Sequence, residues 1–147
     1  MIAHVVKTTL IALGIGFLME LSNSWLGSEF LHKFLTQNLV TILIALLAIN
    51  ATTMGIVLTK VREMVDSKGG ANCFKSTRDQ MLLSVKEQIA LIVVSVVVFS
   101  IKGSKHIKDI ENAELLLNVL TIGVFTYSLL VLYDTAKSVL IIIDFEG

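Results

Sequence analysis

At 147 residues, with 54% hydrophobic and 16% charged side chains and a mean hydropathy of +0.81, the chain carries more apolar surface than a water-soluble domain of its size can enclose. Twelve basic residues balance twelve acidic ones, which leaves no bulk charge for direct nucleic-acid binding or for a polybasic lipid-binding tail. A lone cysteine, Cys73, excludes an internal disulfide, and the absence of proline means that every turn must rest on Gly, Ser, Asn or Asp.

The first apolar segment covers residues 2–21, with Lys7 able to snorkel and Glu20 near the far interface. A signal peptide is the competing reading, but no small-x-small cleavage site follows cleanly and Trp25 suits an interfacial anchor, so the segment is read as a mature helix. Ala12 and Gly16 form a small-xxx-small pair, a dimer motif of low specificity. Residues 23–28 are predicted as a polar break around Trp25 and Gly27, and residues 29–34 as a short interfacial turn of helix.

The second span, 35–59, falls in an uncharged run of about 26 residues, against the roughly 20 that a bilayer-crossing helix needs. Asn38, Thr41, Ala45, Ala48, Thr52, Gly55 and Thr59 follow one another at alternating spacings of three and four, an unbroken seam of small or weakly polar residues. Such a seam lets helix backbones approach closely and suits left-handed crossing. Two readings stand open: a packing seam within the monomer, or the lining of a narrow aqueous pore formed by several copies, with Asn50 and Thr53 near it.

Residues 60–88 form the sizeable polar connection, with six basic residues (Lys60, Arg62, Lys68, Lys75, Arg78 and Lys86) and four acidic ones around Ser67-Lys68-Gly69-Gly70. Val61, Met64 and Val65 keep helical spacing, so a helical hairpin protruding into the cytoplasm is predicted, its Lys60, Arg62, Lys68, Lys75 and Arg78 suited to a protein partner. The third span is 81–101. Its Val- and Ile-rich centre has strand-like periodicity, but a lone strand cannot satisfy its backbone in lipid. A charged loop, 102–114, leads to the fourth span, 115–133, and an apolar patch at 139–143 either extends that helix or lies at the interface.

The three-four spacing recurs in the third span as Ser84, Gln88, Leu91, Ser95, Val98 and Lys102, and in the fourth as Asn118, Thr121, Phe125, Ser128, Leu132 and Thr135. Each span thus has one mildly polar face. The expected fold class is all-α: an integral membrane four-helix bundle in a single domain, 1–147, repeated by homo-oligomerisation, with the lipid bilayer as its surroundings. Eight Lys and Arg residues on the side of the termini and the 60–88 connection against four on the other place both termini in the cytoplasm of a bacterial inner membrane protein.

Glu20, Glu87 and Asp134 fall near span ends and read as interfacial anchors or helix pairs, Glu87 beside Lys86 and Asp134 three residues before Lys137. No buried carboxylate for proton coupling is evident. His4, His32 and His106 are scattered, no cluster has metal-ligand spacing, and Gly69-Gly70 lacks the context of a phosphate loop, so neither catalysis nor a cofactor is expected.

The stretch Thr36-Gln37-Asn38-Leu39-Val40-Thr41-Ile42-Leu43-Ile44-Ala45, followed by Lys60-Val61-Arg62, a basic loop and another apolar helix, resembles in layout the small four-span phage-exclusion and antiphage-defence membrane proteins of bacteria. The resemblance covers most of the chain without a diagnostic motif. It implies an ion channel that depolarises the infected cell, or a sensor of phage-induced membrane disturbance working with a cytoplasmic nucleic-acid-binding or nucleotide-sensing partner. No catalytic or ligand-binding residue carries over. The function classes are therefore an ion-conducting or membrane-perturbing homo-oligomer, a sensor or scaffold that recruits a cytoplasmic protein, and a holin-like lysis protein, for which the 60–88 connection is larger than needed.

Overall fold

The computed structural model describes residues 2–68, 71–104 and 113–144. They form four helices: α1 (Ile2–Leu26), α2 (Phe30–Lys68), α3 (Ala71–Lys102) and α4 (Ala113–Asp144). All four are long and apolar enough to cross a membrane, over Ala3–Leu26, Phe30–Glu63, Met81–Lys102 and Ala113–Lys137. In lipid no water competes for backbone groups, so uninterrupted helix is the way for each segment to satisfy its own N–H and C=O.

The ends of α1 and α2 differ from the sequence reading. Ser22, Asn23 and Ser24 stay helical, and α1 runs on to Leu26. The break falls at Gly27, whose φ of 62° is open to glycine and strained for other residues. Gly27 N–H donates to Ser24 O (3.3 Å) and Ser28 N–H to Asn23 O (3.0 Å), which closes the last turn in the Schellman pattern and satisfies two otherwise orphaned carbonyls. The predicted separate turn at 29–34 is instead the start of α2. There Lys33 N–H donates to Glu29 O (3.0 Å), and the Lys33 ammonium, 2.8 Å from the Glu29 carboxylate, hydrogen-bonds it and holds it below its ordinary pKa.

The helices alternate in direction, and α4 touches the other three. α1 packs on α4 rather than on its chain neighbour α2, while α2 packs on α3 and α4. The small pair Ala12 and Gly16 explains the first choice. Ala12 is buried beside Tyr127 and Val131, and a Cβ on Gly16 would lie 2.8 Å from Val119 O, so this pair, a dimer motif of low specificity, serves an intrachain crossing. α2 turns a leucine stripe inward: Leu35, Leu39 and Leu43 pack with Ile122 and Val124, with Phe99 and Phe125 against them. Farther along, Val57 and Val61 meet Met81 of α3 and Val139 of α4.

Exposed aromatic residues mark both ends. Trp25 is 88% exposed and Tyr133 is 65% exposed. Tyr133 adjoins Asp134, which faces His4, and His4 to Trp25 along α1 is about 32 Å at 1.5 Å per residue. That separation matches the roughly 30 Å of a bilayer's hydrocarbon core, with rings at each boundary.

Candidate functional site

The seam of α2 faces outward. Thr41, Ala45, Ala48, Thr52, Gly55 and Thr59 are exposed and Asn38 is half-buried, because the leucine stripe takes the inward face of the same helix. Packing within the monomer is therefore not its role. Its polar groups are satisfied locally: Thr52 Oγ1 donates to Ala48 O (2.9 Å), Thr59 Oγ1 to Gly55 O (3.0 Å), and Asn38 Nδ2 to Phe34 O (2.9 Å). A Cβ on Gly55 would meet nothing within 4 Å. Asn50, which the sequence placed near this seam, points the other way and is 2% exposed, while Thr53 is half-buried.

The basic residues of the 60–88 segment are solvated where they are described. Lys60 pairs with Glu63 (3.3 Å), Arg78 with Asp79 (3.7 Å), and Arg62 is exposed. The side chains of Lys68, Cys73 and Lys75, together with the whole of Gly69, Gly70 and His106, lie outside what the structure describes.

The polar faces of α3 and α4 face each other. Ser84 and Thr135 hydroxyls are 3.0 Å apart at one end, and Lys102 Nζ donates to Asn118 Oδ1 (2.7 Å) at the other. These bonds set residues 84–102 antiparallel against 135–118. Between them Gln88 (0% exposed), Ser95 (1%), Thr121 (2%) and Ser128 (0%) are all enclosed. Ser95, Thr121 and Ser128 hydroxyls donate to carbonyls of their own helices, which leaves oxygen lone pairs inside the bundle.

At the α1–α2 turn every helix contributes one side chain to a linked polar group. Asn118 Nδ2 donates to Glu20 Oε1 (3.1 Å), and its Oδ1 takes the Lys102 bond. His32 Nε2 lies 2.8 Å from Glu20 Oε2, but the direction is not that of a hydrogen bond, so this oxygen has an imidazole beside it and no aligned donor. Glu20 is only 8% exposed, so the chain does hold a buried carboxylate, against the sequence expectation. The nearby Asn23 Nδ2 is also buried without a partner.

The opposite end holds a second group. Glu87 lies close to Tyr127, with His4 and Asp134 near enough to act on it electrostatically. His4 Nε2 is 3.6 Å from Asp134 Oδ2, so Asp134 reaches across to α1. Two of the three scattered histidines are thus partners of carboxylates. No group of three or more His, Cys, Asp or Glu able to hold a metal ion occurs among the described residues.

No family model, curated protein or solved structure matches the chain. Its function has to be read from these side chains. Asn118 to Thr135 was legible as a face at helical spacing. Glu20 and His32 were not, because twelve residues and a chain reversal separate them and neither shows a motif.

Proposed function

We propose that the protein is a subunit of a homo-oligomeric membrane assembly that conducts ions, with the α2 seam at the contact between subunits. The observation that carries conduction is the bundle interior. Small and hydroxyl-bearing residues serve packing between helices in lipid, but the α3–α4 contact, polar along its whole facing length, ends in ionisable groups that include the buried Glu20, which packing alone does not require. The outward seam supports self-association: backbones can approach closely along it, and its threonines already have hydrogen-bond acceptors in their own helix.

The test joins two measurements on the purified full chain. With Cys73 replaced by serine, cysteine placed at Ala48 should cross-link copies in the membrane, while cysteine at the lipid-facing Val93 should not. Liposomes containing the protein should pass ions that protein-free liposomes retain. A tight liposome containing folded protein would remove conduction, and equal cross-linking at both positions would remove the seam as the contact.

A second reading is favoured by helix length. α2 has 39 residues, about 58 Å at 1.5 Å per residue, which is nearly twice the hydrocarbon thickness. Val57, Val61 and Met81 pack together toward the far end of α2, as a stiff cytoplasmic hairpin would require for docking a protein partner. In this reading the membrane part anchors a sensor or scaffold, and pull-down of the intact protein with Lys60 and Arg62 reversed to Glu should lose that partner.

A further inference from the structure

We infer that the conducted ion is the proton, and that it crosses inside each subunit along the α3–α4 interface, through a hydrated step held by Asn50 and Gln88. The inference rests on the conducting reading above and adds to it the ion and the route.

The strongest sign is the pair of buried carboxamides. Asn50 is 2% exposed and Gln88 is 0% exposed, yet neither the nitrogen nor the oxygen of either side chain has a hydrogen-bond partner. Two amides carry four donor hydrogens and two acceptor oxygens between them, and an unmet buried group is costly enough that native proteins rarely keep one. The packing of Val57 and Val61 with Met81, and of Leu39 and Leu43 near Phe99 and Leu91, makes α2 and α3 antiparallel and puts Asn50 and Gln88 at about the same depth. Water offers both donors and acceptors and is small enough to serve both amides at once.

The rest of the route is spaced to suit. In the register fixed by the Ser84–Thr135 and Lys102–Asn118 bonds, depth along the interface runs Asn118, Thr121, Ser95, Ser128, Gln88. Successive members are three or four residues apart in register, roughly 5 Å at 1.5 Å per residue. One bridging water spans about that distance, since each hydrogen bond is about 2.8 Å long. Proton-binding groups stand at both ends, Glu20 with His32 at one and Glu87 with His4 and Asp134 at the other. Among the described residues, Lys102 of α3 and Tyr127 of α4 are the further titratable groups that face the route.

The step balances without any further reactant. A proton joins a carboxylate or imidazole at one end; along the chain each hydroxyl or bridging-water oxygen gains one O–H bond as it gives up another, the carboxamides of Asn118, Gln88 and Asn50 holding the waters in place without carrying the proton; and a proton leaves the group at the far end. Hydroxyls that now donate to their own backbone turn to reset the chain. A hydrated metal cation needs a continuous opening, and the side chains along this interface are almost fully enclosed, whereas proton hopping needs only oxygen and nitrogen atoms within reach of one another.

The experiment uses the full chain in liposomes with a trapped pH indicator and a potassium-diffusion potential set by an ionophore. Potassium release is followed separately without ionophore. Wild type is expected to move protons and retain potassium. Ser128→Ala, which removes a hydroxyl bonded only to its own helix, and Gln88→Leu should each lower proton flux at least tenfold, while Val93→Leu on the lipid face leaves it unchanged. Helicity and detergent elution confirm that each variant is folded, and Ser128→Ala keeps the test decisive where Gln88→Leu does not fold. Potassium release by wild type overturns the proton inference and leaves conduction standing. Proton flux undiminished in Ser128→Ala overturns the route. Absence of both fluxes in folded wild type overturns the conducting reading itself.

Discussion

Gly16 of α1 and Gly123 of α4 cross with no side chain between their backbones: a Cβ on Gly16 would lie 3.0 Å from Gly123 N and 2.8 Å from Val119 O. Both obstacles are backbone atoms, which cannot swing aside. Gly16→Ala is therefore expected to destabilise the bundle by about 1–3 kcal/mol, the range for overpacked sites. Gly123→Ala should be milder, because the first obstacle to its Cβ is the tip of Leu13 at 3.1 Å. Gly14→Ala meets nothing within 4 Å and should be neutral or stabilising by about 0.5–1 kcal/mol through helix propensity. Thermal unfolding in detergent, followed by helicity, ranks the three.

The Glu20–Asn118 bond should behave as part of a unit. Glu20→Leu leaves Asn118 Nδ2 without its acceptor and His32 without its carboxylate; Asn118→Leu frees Glu20 Oε1 and the Lys102 ammonium. Each single change is expected to cost about 1–3 kcal/mol, with the double variant costing less than the sum. A coupling energy indistinguishable from zero in the double-mutant cycle would show that the two side chains do not act together.

How much of this was legible in the sequence depends on the range over which each feature is encoded. Spans declare themselves locally, since apolar runs such as 34–59 need no knowledge of a partner, and helix faces declare themselves by spacing: Asn118 to Thr135 reads as a stripe before any neighbour is known. The direction a stripe faces is not local. On α2 a small-residue seam and a leucine stripe coexist, and in lipid either can be outermost, so spacing alone left the seam's orientation open. Glu20, His32, Lys102 and Asn118 meet because four helix ends coincide, and their separations in sequence carry no period from which that could be read. The end of α1 was misplaced because Asn23 and Ser24 are loop-forming in water, while at a membrane boundary the helix persists until Gly27 supplies a positive φ.

Gly27 gives a prediction separate from packing. A Cβ there meets nothing within 4 Å, so Gly27→Ala tests backbone strain alone. The left-handed conformation costs an L-residue roughly 1–2 kcal/mol. A loss of about 1 kcal/mol is expected, with Gly27→Asn recovering part of it because Asn tolerates this region better. Equal stability of wild type and both variants would mean that the Schellman turn contributes nothing.

The seam can be probed by separating its shape from its hydroxyls. Thr52 Oγ1 donates to Ala48 O, a carbonyl already within the helix, so losing that hydroxyl orphans no donor elsewhere. Thr52→Val keeps nearly the same outline and should leave self-association in detergent within about twofold of wild type if close backbone approach provides the contact. Thr52→Leu adds bulk in the middle of the seam and holds neighbouring backbones apart. It should weaken association at least tenfold, about 1.4 kcal/mol, without altering helicity, because the residue is exposed in the single chain. Analytical ultracentrifugation in density-matched detergent reads both constants. Loss of association in Thr52→Val as large as that in Thr52→Leu would reverse the assignment and make the hydroxyl, which both substitutions remove, the source of the attraction across the contact.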